Sequence, residues 1–185
     1  MKWHDHSEIE GTHAFLSPSQ YHWMNYDVDK LKDVYRNHLA KQKGTELHEA
    51  ASKMIKLKIP QKQKRKTWNL FVNDALKYGM DSEVPLYFSN LCYGTADAIK
   101  FENDFLRIHD LKTGATKASF KQLMGYAALF CLEYDYNPWE IDIELRIYQY
   151  DTIIKLIPEP DDICHIADKI VTFTDVIDKI NKEEG

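Results

Sequence analysis

Two acids and a lysine, Asp97, Asp110 and Lys112, have the types and spacing that could do chemistry. They flank a stretch that reads as two strands joined at Asn103-Asp104. Partners around a two-residue loop have position numbers with a constant sum. If Glu102 faces Phe105, that sum is 207 and Asp97 faces Asp110. Directly opposed side chains lie roughly 4.5–5.5 Å apart at Cβ, where like charges repel. By the period of two, one face carries Asp97, Ile99 and Phe101 against Leu106, Ile108 and Asp110, and Lys112 falls on the same face. A fold has little reason to oppose two acids unless a cation sits between them, and oxygen ligands of this kind suit Mg2+ or Mn2+. A register slip of one residue would instead put the acids on opposite faces. The Thr113-Gly114 exit beside the opposed acids and the lysine favours a site.

The elements that must position these residues follow from apolar periodicity. Leu16-Ser17-Pro18-Ser19 reads as a helix start, with Ser17 as cap and Pro18 in the first turn. Asp27 to Gln42 is predicted helical, Gly44-Thr45 breaks and restarts the helix, and a second helix runs from Glu46 to about Leu57 before Pro60. A helix from Thr67 to Tyr78 is closed by Gly79, and Glu83 to Asn90 is a first strand. Ser119 caps a helix that reaches Tyr134. Ile141, Ile143, Leu145 and Ile147 alternate with polar residues as a half-buried strand, followed by a short strand at Ile153–Ile157. The last helix, from Asp161 to about Lys182, carries a narrow stripe of Ile163, Ile166, Ile170, Phe173, Ile177 and Ile180, expected to pack on the domain. The fold class is therefore α/β (α+β), a mostly antiparallel mixed sheet of four or five strands flanked by helices. It forms one domain over 1–185, with a loose segment at 1–15, N-terminal helices over 16–58, a sheet core over 83–157 and a C-terminal helix over 161–184.

Composition limits the classes. The chain has 185 residues, 44% apolar and 29% charged, enough for a real core, with no apolar run long enough for a membrane span and no signal-peptide pattern at the start. Cys92, Cys131 and Cys164 are odd in number and far apart, which is neither a disulfide framework nor a metal motif, so reduced, buried thiols in a cytoplasm are expected. His4, His6 and His13 read as part of a disordered tail. The net charge of -5 conceals an asymmetry: seven basic and no acidic residues from Lys53 to Lys66 leave 17 basic and 29 acidic residues elsewhere, a balance of -12. That run, with Lys62, Lys64, Arg65 and Lys66 at its centre, is a candidate phosphate-backbone contact or a solvated loop. Trp68 beside it could stack on a base or serve the core.

Four segments together give the chain a family resemblance: Gly44-Thr-Glu-Leu-His48-Glu49, Gly94-Thr-Ala-Asp97-Ala-Ile, Asp110-Leu111-Lys112-Thr-Gly and Gln122-Leu-Met-Gly-Tyr126. Their order and spacing, with the Leu16-Ser-Pro-Ser opening, resemble the PD-(D/E)XK nuclease superfamily in its RecB-type and phage-exonuclease branches, over about Leu16 to Tyr150. The resemblance implies a restriction-endonuclease-like core and a divalent ion, Mg2+ or Mn2+, held by His48, Asp97, Asp110 and the Leu111 carbonyl, with Glu49 behind them. It implies Lys112 orienting water or stabilising developing charge, and Gln122 and Tyr126 steering the phosphate or supporting Lys112. Ser119-x-x-Gln122 also reads as a capping box, and Tyr126 as a half-buried aromatic. Relatives with an iron–sulfur cluster hold it through one N-terminal and three C-terminal cysteines; this chain lacks both sets, so no cluster is expected.

The expected function is a metal-dependent deoxyribonuclease, a phage-type recombination or DNA-processing exonuclease. The alternatives are a structure-specific endonuclease of the same fold and a non-catalytic nucleic-acid-binding or assembly module. DNA is the expected partner, by resemblance alone. A recombination or helicase partner and a homo-oligomer are compatible with the reading, and a membrane is not expected. The location would be the cytoplasm, the host's if the protein is phage-encoded.

Overall fold

In the computed structural model the described residues are 5, 7–9, 14–63, 66–114 and 117–184. His4, His6, His13, Lys64 and Arg65 lie outside them. The chain clusters into two compact units, 1–42 and 43–185. In the first, Pro18–Asn25 forms a 3₁₀ helix with Pro18 at its start, as predicted, but Ser17 does not cap it through its side chain. The Ser17 hydroxyl instead pairs with Ser19 at 2.8 Å, while its carbonyl accepts from the Trp23 indole. Phe15 packs edge-on against Tyr35.

Helix α1 spans Val28–Lys56. Asp27 opens it by accepting the Lys30 amide at 2.7 Å. The helix runs unbroken through Gly44-Thr45, where the sequence predicted a break. A single helical glycine costs only about 1 kcal/mol. Here it also makes room, because a Cβ at Gly44 would lie 3.0 Å from the Thr113 hydroxyl.

The second unit is built on five strands, β1 (Asp81–Ser89), β2 (Cys92–Glu102), β3 (Phe105–Leu111), β4 (Asp142–Gln149) and β5 (Thr152–Leu156), in that spatial order. All neighbours are antiparallel except β3 and β4, which run parallel and are joined across α3 (Lys121–Tyr134). A parallel pair needs such a crossover. The mixed, mostly antiparallel sheet flanked by helices is the fold class read from the sequence. The β2–β3 register also matches the prediction: Glu102 pairs with Phe105 and Ala98 with His109, each summing to 207. Asn103 and Asp104 have φ of 52° and 56°, the left-handed turn that a tight hairpin needs.

Two apolar layers cover the sheet. Ile99, Leu106, Ile108, Leu145 and Ile147 pack under α3 and the first turns of α4 (Pro160–Glu184). On the other face Ala98, Leu111 and Tyr148 meet Ala51 and Ile55 of α1 and Phe71, Val72 and Ala75 of α2 (Thr67–Lys77). Gly79, at φ +60°, follows α2 as predicted. Trp68 belongs to this layer. Its indole donates to the Leu47 carbonyl at 2.9 Å and so ties α2 to α1.

Two expectations need correction. The first is β4, predicted half-buried. It lies between β3 and β5 with helices on both sides, so Glu144 and Tyr148 are as buried as Leu145. Its polar residues are paired beneath α2. Tyr148 donates to Asp74 at 2.8 Å, and Arg146 bonds Asp74, Tyr78 and Glu144. The second is α4, whose stripe packs only through Ile163, Ile166 and Ile170, while Phe173, Ile177 and Ile180 are exposed.

His109 sits inside this polar layer, fully buried. Because the Tyr148 hydroxyl gives its proton to Asp74, His109 Nδ1–H donates to that oxygen at 3.2 Å and Nε2 has no partner. Burial, with Arg146 adding to it, drives its pKa from 6.5 to about 3. A histidine with a depressed pKa stabilises the fold above its unfolded value and loses that contribution as pH falls. Stability should therefore decline from pH 6.5 toward 3, by about 1.4 kcal/mol per unit from this group. Urea midpoints measured across this window should fall steeply for the native chain and more gently for His109→Gln. Equal slopes would assign the acid sensitivity elsewhere.

Candidate metal centre

The site forms where β2 and β3 part. Their backbone pairing ends at Ala98 and His109, and beyond it β3 follows β4, with the Lys112 amide on the Tyr148 carbonyl. This leaves the Leu111 amide without a strand partner. The Asp97 carboxylate takes it, at 2.8 Å through Oδ2. A buried amide needs an acceptor, so the backbone itself holds Asp97 in place. Its other oxygen, Oδ1, lies 3.3 Å from His48 Nδ1, presented by α1.

A third residue joins them that the sequence reading did not select. In β1, Ser82 pairs with Ala98 and Val84 with Ala96, so Glu83 stands opposite Asp97. The β1–β2 register sum of 180 therefore sets Glu83 opposite Asp97, while Asp110, one residue past the last β2–β3 pair, lies near enough to Asp97 for the two charges to repel. Glu83 has φ 52°, left-handed backbone inside a strand. The kink reverses the alternation of side chains. Ser82 and Ala98 face α1, where Ser82 bonds Ser52 at 2.9 Å, whereas Val84, Leu86 and Ala96 face α3. Such backbone costs about 1–2 kcal/mol in a non-glycine residue. His48, Glu83 and Asp97 each bring a ligand atom within 4.8 Å of the others, a group that could hold a metal ion.

Asp110 stands beside this group and outside it. Its Oδ1 is 3.0 Å from Lys112 Nζ, and its buried Oδ2 has no hydrogen-bond partner among the described residues. An orphaned carboxylate oxygen is what a cation or its water would satisfy. Lys112 Nζ also donates to Gln122 Oε1 at 2.7 Å, and Gln122 Nε2 donates to the Tyr126 hydroxyl at 3.2 Å. Gln122 thus does not cap α3. Ser119 serves that end alone, accepting the Lys121 amide, with Phe120 at the cap position. Tyr126 in turn packs on Gly94, where a Cβ would come within 2.9 Å of the ring.

The remaining predicted residues lie variously. Glu49 is exposed and lines a cavity of about 560 Å³ with His48 and Glu83. Leu111 touches Asp97 through its amide, with its side chain in the α2 layer. Lys62 is exposed, as is Lys66, which precedes α2. Cys131 is buried and Cys92 and Cys164 partly so, with burial raising the Cys131 thiol to about 11. No helix among the described residues is long and apolar enough to cross a membrane.

Proton affinities are raised at His48, Glu83 and Asp110. His48 is raised chiefly by its hydrogen bond to Asp97, against the opposing effect of burial. Glu83 and Asp110 are raised by burial first and by the Asp97 charge second. Asp97 thus repels both other acids, which a cation would relieve. Searches against protein-family models, curated proteins and solved structures found no match for this chain.

A cation must displace these tightly held protons. Mn2+ binding is therefore expected to strengthen as pH rises above 6.5, the ordinary histidine value that His48 exceeds, with net proton release. Calorimetry in buffers of different ionisation enthalpy measures that release, and buffer-independent heats would contradict it. Glu83→Gly suits the left-handed backbone. It should leave metal-free stability within about 1 kcal/mol of the native chain. The rise in melting temperature caused by Mn2+ should be lost in that variant.

Proposed function

We propose that this chain is a divalent-metal-dependent nuclease that hydrolyses DNA phosphodiester bonds, an exonuclease of the recombination or DNA-processing type. The observation that carries the reading is the cluster of His48, Glu83 and Asp97, whose ligand atoms lie within 4.8 Å of one another, with the Asp110–Lys112 pair beside it. The sequence resemblance points the same way and is the reason for naming DNA. A bound Mg2+ or Mn2+ would acidify a water and offset phosphoryl charge.

The protein residues have separable tasks. His48, Glu83 and Asp97 supply nitrogen and oxygen donors, with Asp110 near Asp97 and Leu111 bound to Asp97 through its amide. Lys112 has three N–H donors, of which two are spent on Asp110 and Gln122. The third is left for a phosphate oxygen or the attacking water, where a fixed positive charge stabilises developing negative charge. Gln122 and Tyr126 position that ammonium from α3, and Gly94 lets the tyrosine ring approach.

Linear DNA incubated with Mg2+ or Mn2+ should be digested by the native chain and protected by chelator. Asp97→Ala and Lys112→Ala should each lose activity by about 100-fold or more. Equal digestion by all three proteins would contradict the assignment. Closed circular DNA separates the two nuclease types, since an exonuclease leaves it intact. Chelator-insensitive DNA binding with no cleavage would mark a binding module instead.

A further inference from the structure

The nuclease reading leaves open where the cleaved strand lies, and the surface beside the cation group answers it. The cavity that holds His48, Glu49 and Glu83 at one end is lined at the other by Lys53 and Lys56. A second cavity, of about 700 Å³, shares Lys56 and is also lined by Lys58, Leu76, Gly79 and Met80. Lys56 is thus common to both walls, and the two cavities form one track along the C-terminal half of α1. Its floor is apolar, with Ile55, Ala75 and Met80 buried beneath it. Ser52, bonded to Ser82, fixes α1 against β1 between the two cavities.

Charge is graded along this track. The acids Glu49 and Glu83 sit at the cation end, and Lys53, Lys56 and Lys58 lie beyond them, with Asp81 the one acid lining the second cavity. Among the described residues none of the three lysines makes an ion pair with a carboxylate. All three are exposed. Unpaired ammonium groups over an apolar floor suit a polyanion that carries flat apolar bases, and such contacts release condensed counterions. At 1.5 Å rise per residue, Lys56 lies about 12 Å along the helix from His48. That span covers roughly three to four nucleotides at 3.4 Å each. Of the basic run read from the sequence, Lys53, Lys56 and Lys58 line these cavities and the described Lys62 and Lys66 line neither.

We propose that the DNA strand bearing the scissile phosphate runs from the cation group along α1, with its phosphates on Lys53 and Lys56 and its outer bases over the cavity at Leu76–Met80. This rests on the nuclease reading and adds the path of the substrate. The test is anisotropy of a fluorescein-labelled single-stranded oligodeoxynucleotide, titrated with protein in Ca2+ over a range of salt. Lys53→Gln/Lys56→Gln should weaken binding about 10-fold and reduce the slope of log K against log salt by about 1.4, two contacts at roughly 0.7 each. Lys179→Gln/Lys182→Gln, on α4, should change neither. The Mn2+-induced rise in melting temperature should persist in both variants, which separates a lost strand contact from a damaged cation site. An unchanged slope in the Lys53/Lys56 variant, alongside metal-dependent cleavage by the native chain, overturns the path alone. A reduced slope with no cleavage by the native chain overturns the nuclease reading and leaves the path as a binding track.

Discussion

The Asp97 carboxylate is the interaction on which the centre depends. It sits where two strands part company, and it satisfies the Leu111 amide that the parting strands abandon. That bond is structural, yet it leaves the other oxygen aimed at His48, with Glu83 opposite. One side chain thus closes a gap in the sheet and joins α1 to the acidic cluster. Removing it would leave a buried amide unpaired as well as a ligand missing, so its loss would register in stability as well as in chemistry.

Two clusters of the sheet handle buried charge differently. Under α2, Glu144 is surrounded by Arg146, Arg107 and Lys155, and Asp74 by Arg146 and Tyr148. Those acids are compensated. At the metal centre three acids are faced by His48, Lys112 and, near Glu83, Lys56, and burial still raises the proton affinity of Glu83 and Asp110. The fold tolerates an unbalanced set of carboxylates there together with left-handed backbone at Glu83. Strain and self-repulsion are thus concentrated at one position.

Much of this was legible in the sequence because hairpin arithmetic is rigid. A two-residue turn at Asn103-Asp104 fixes the pairs from Glu102–Phe105 to Ala98–His109, and the strands part before Asp97 would pair with Asp110, so the neighbourhood of the two acids, though not their partners, could be read without coordinates. Glu83 could not. A two-residue turn at Asn90-Leu91 predicts sums of 181, which would bring Val84 opposite Asp97. An irregularity between Tyr87 and Ser89 shifts the register to 180, and only then does Glu83 face the site. Neither that shift nor the φ of Glu83 has a glycine or asparagine to announce it. The break expected at Gly44 failed for a related reason: the glycine answers to Thr113, distant in sequence, and not to its own helix. Gln122 was ambiguous between cap and site until Lys112 proved to be its partner.

The central claim is that these side chains converge to hold a divalent ion. Crystals grown with Mn2+ and measured at its absorption edge test it directly. The account predicts an anomalous peak roughly 2.0–2.3 Å from oxygens of Asp97 and Glu83 and from a His48 nitrogen. Its nearest further neighbour would be Asp110 or water. A fully occupied Mn2+ elsewhere, with Asp97 still bound only to His48 and the Leu111 amide, would contradict it.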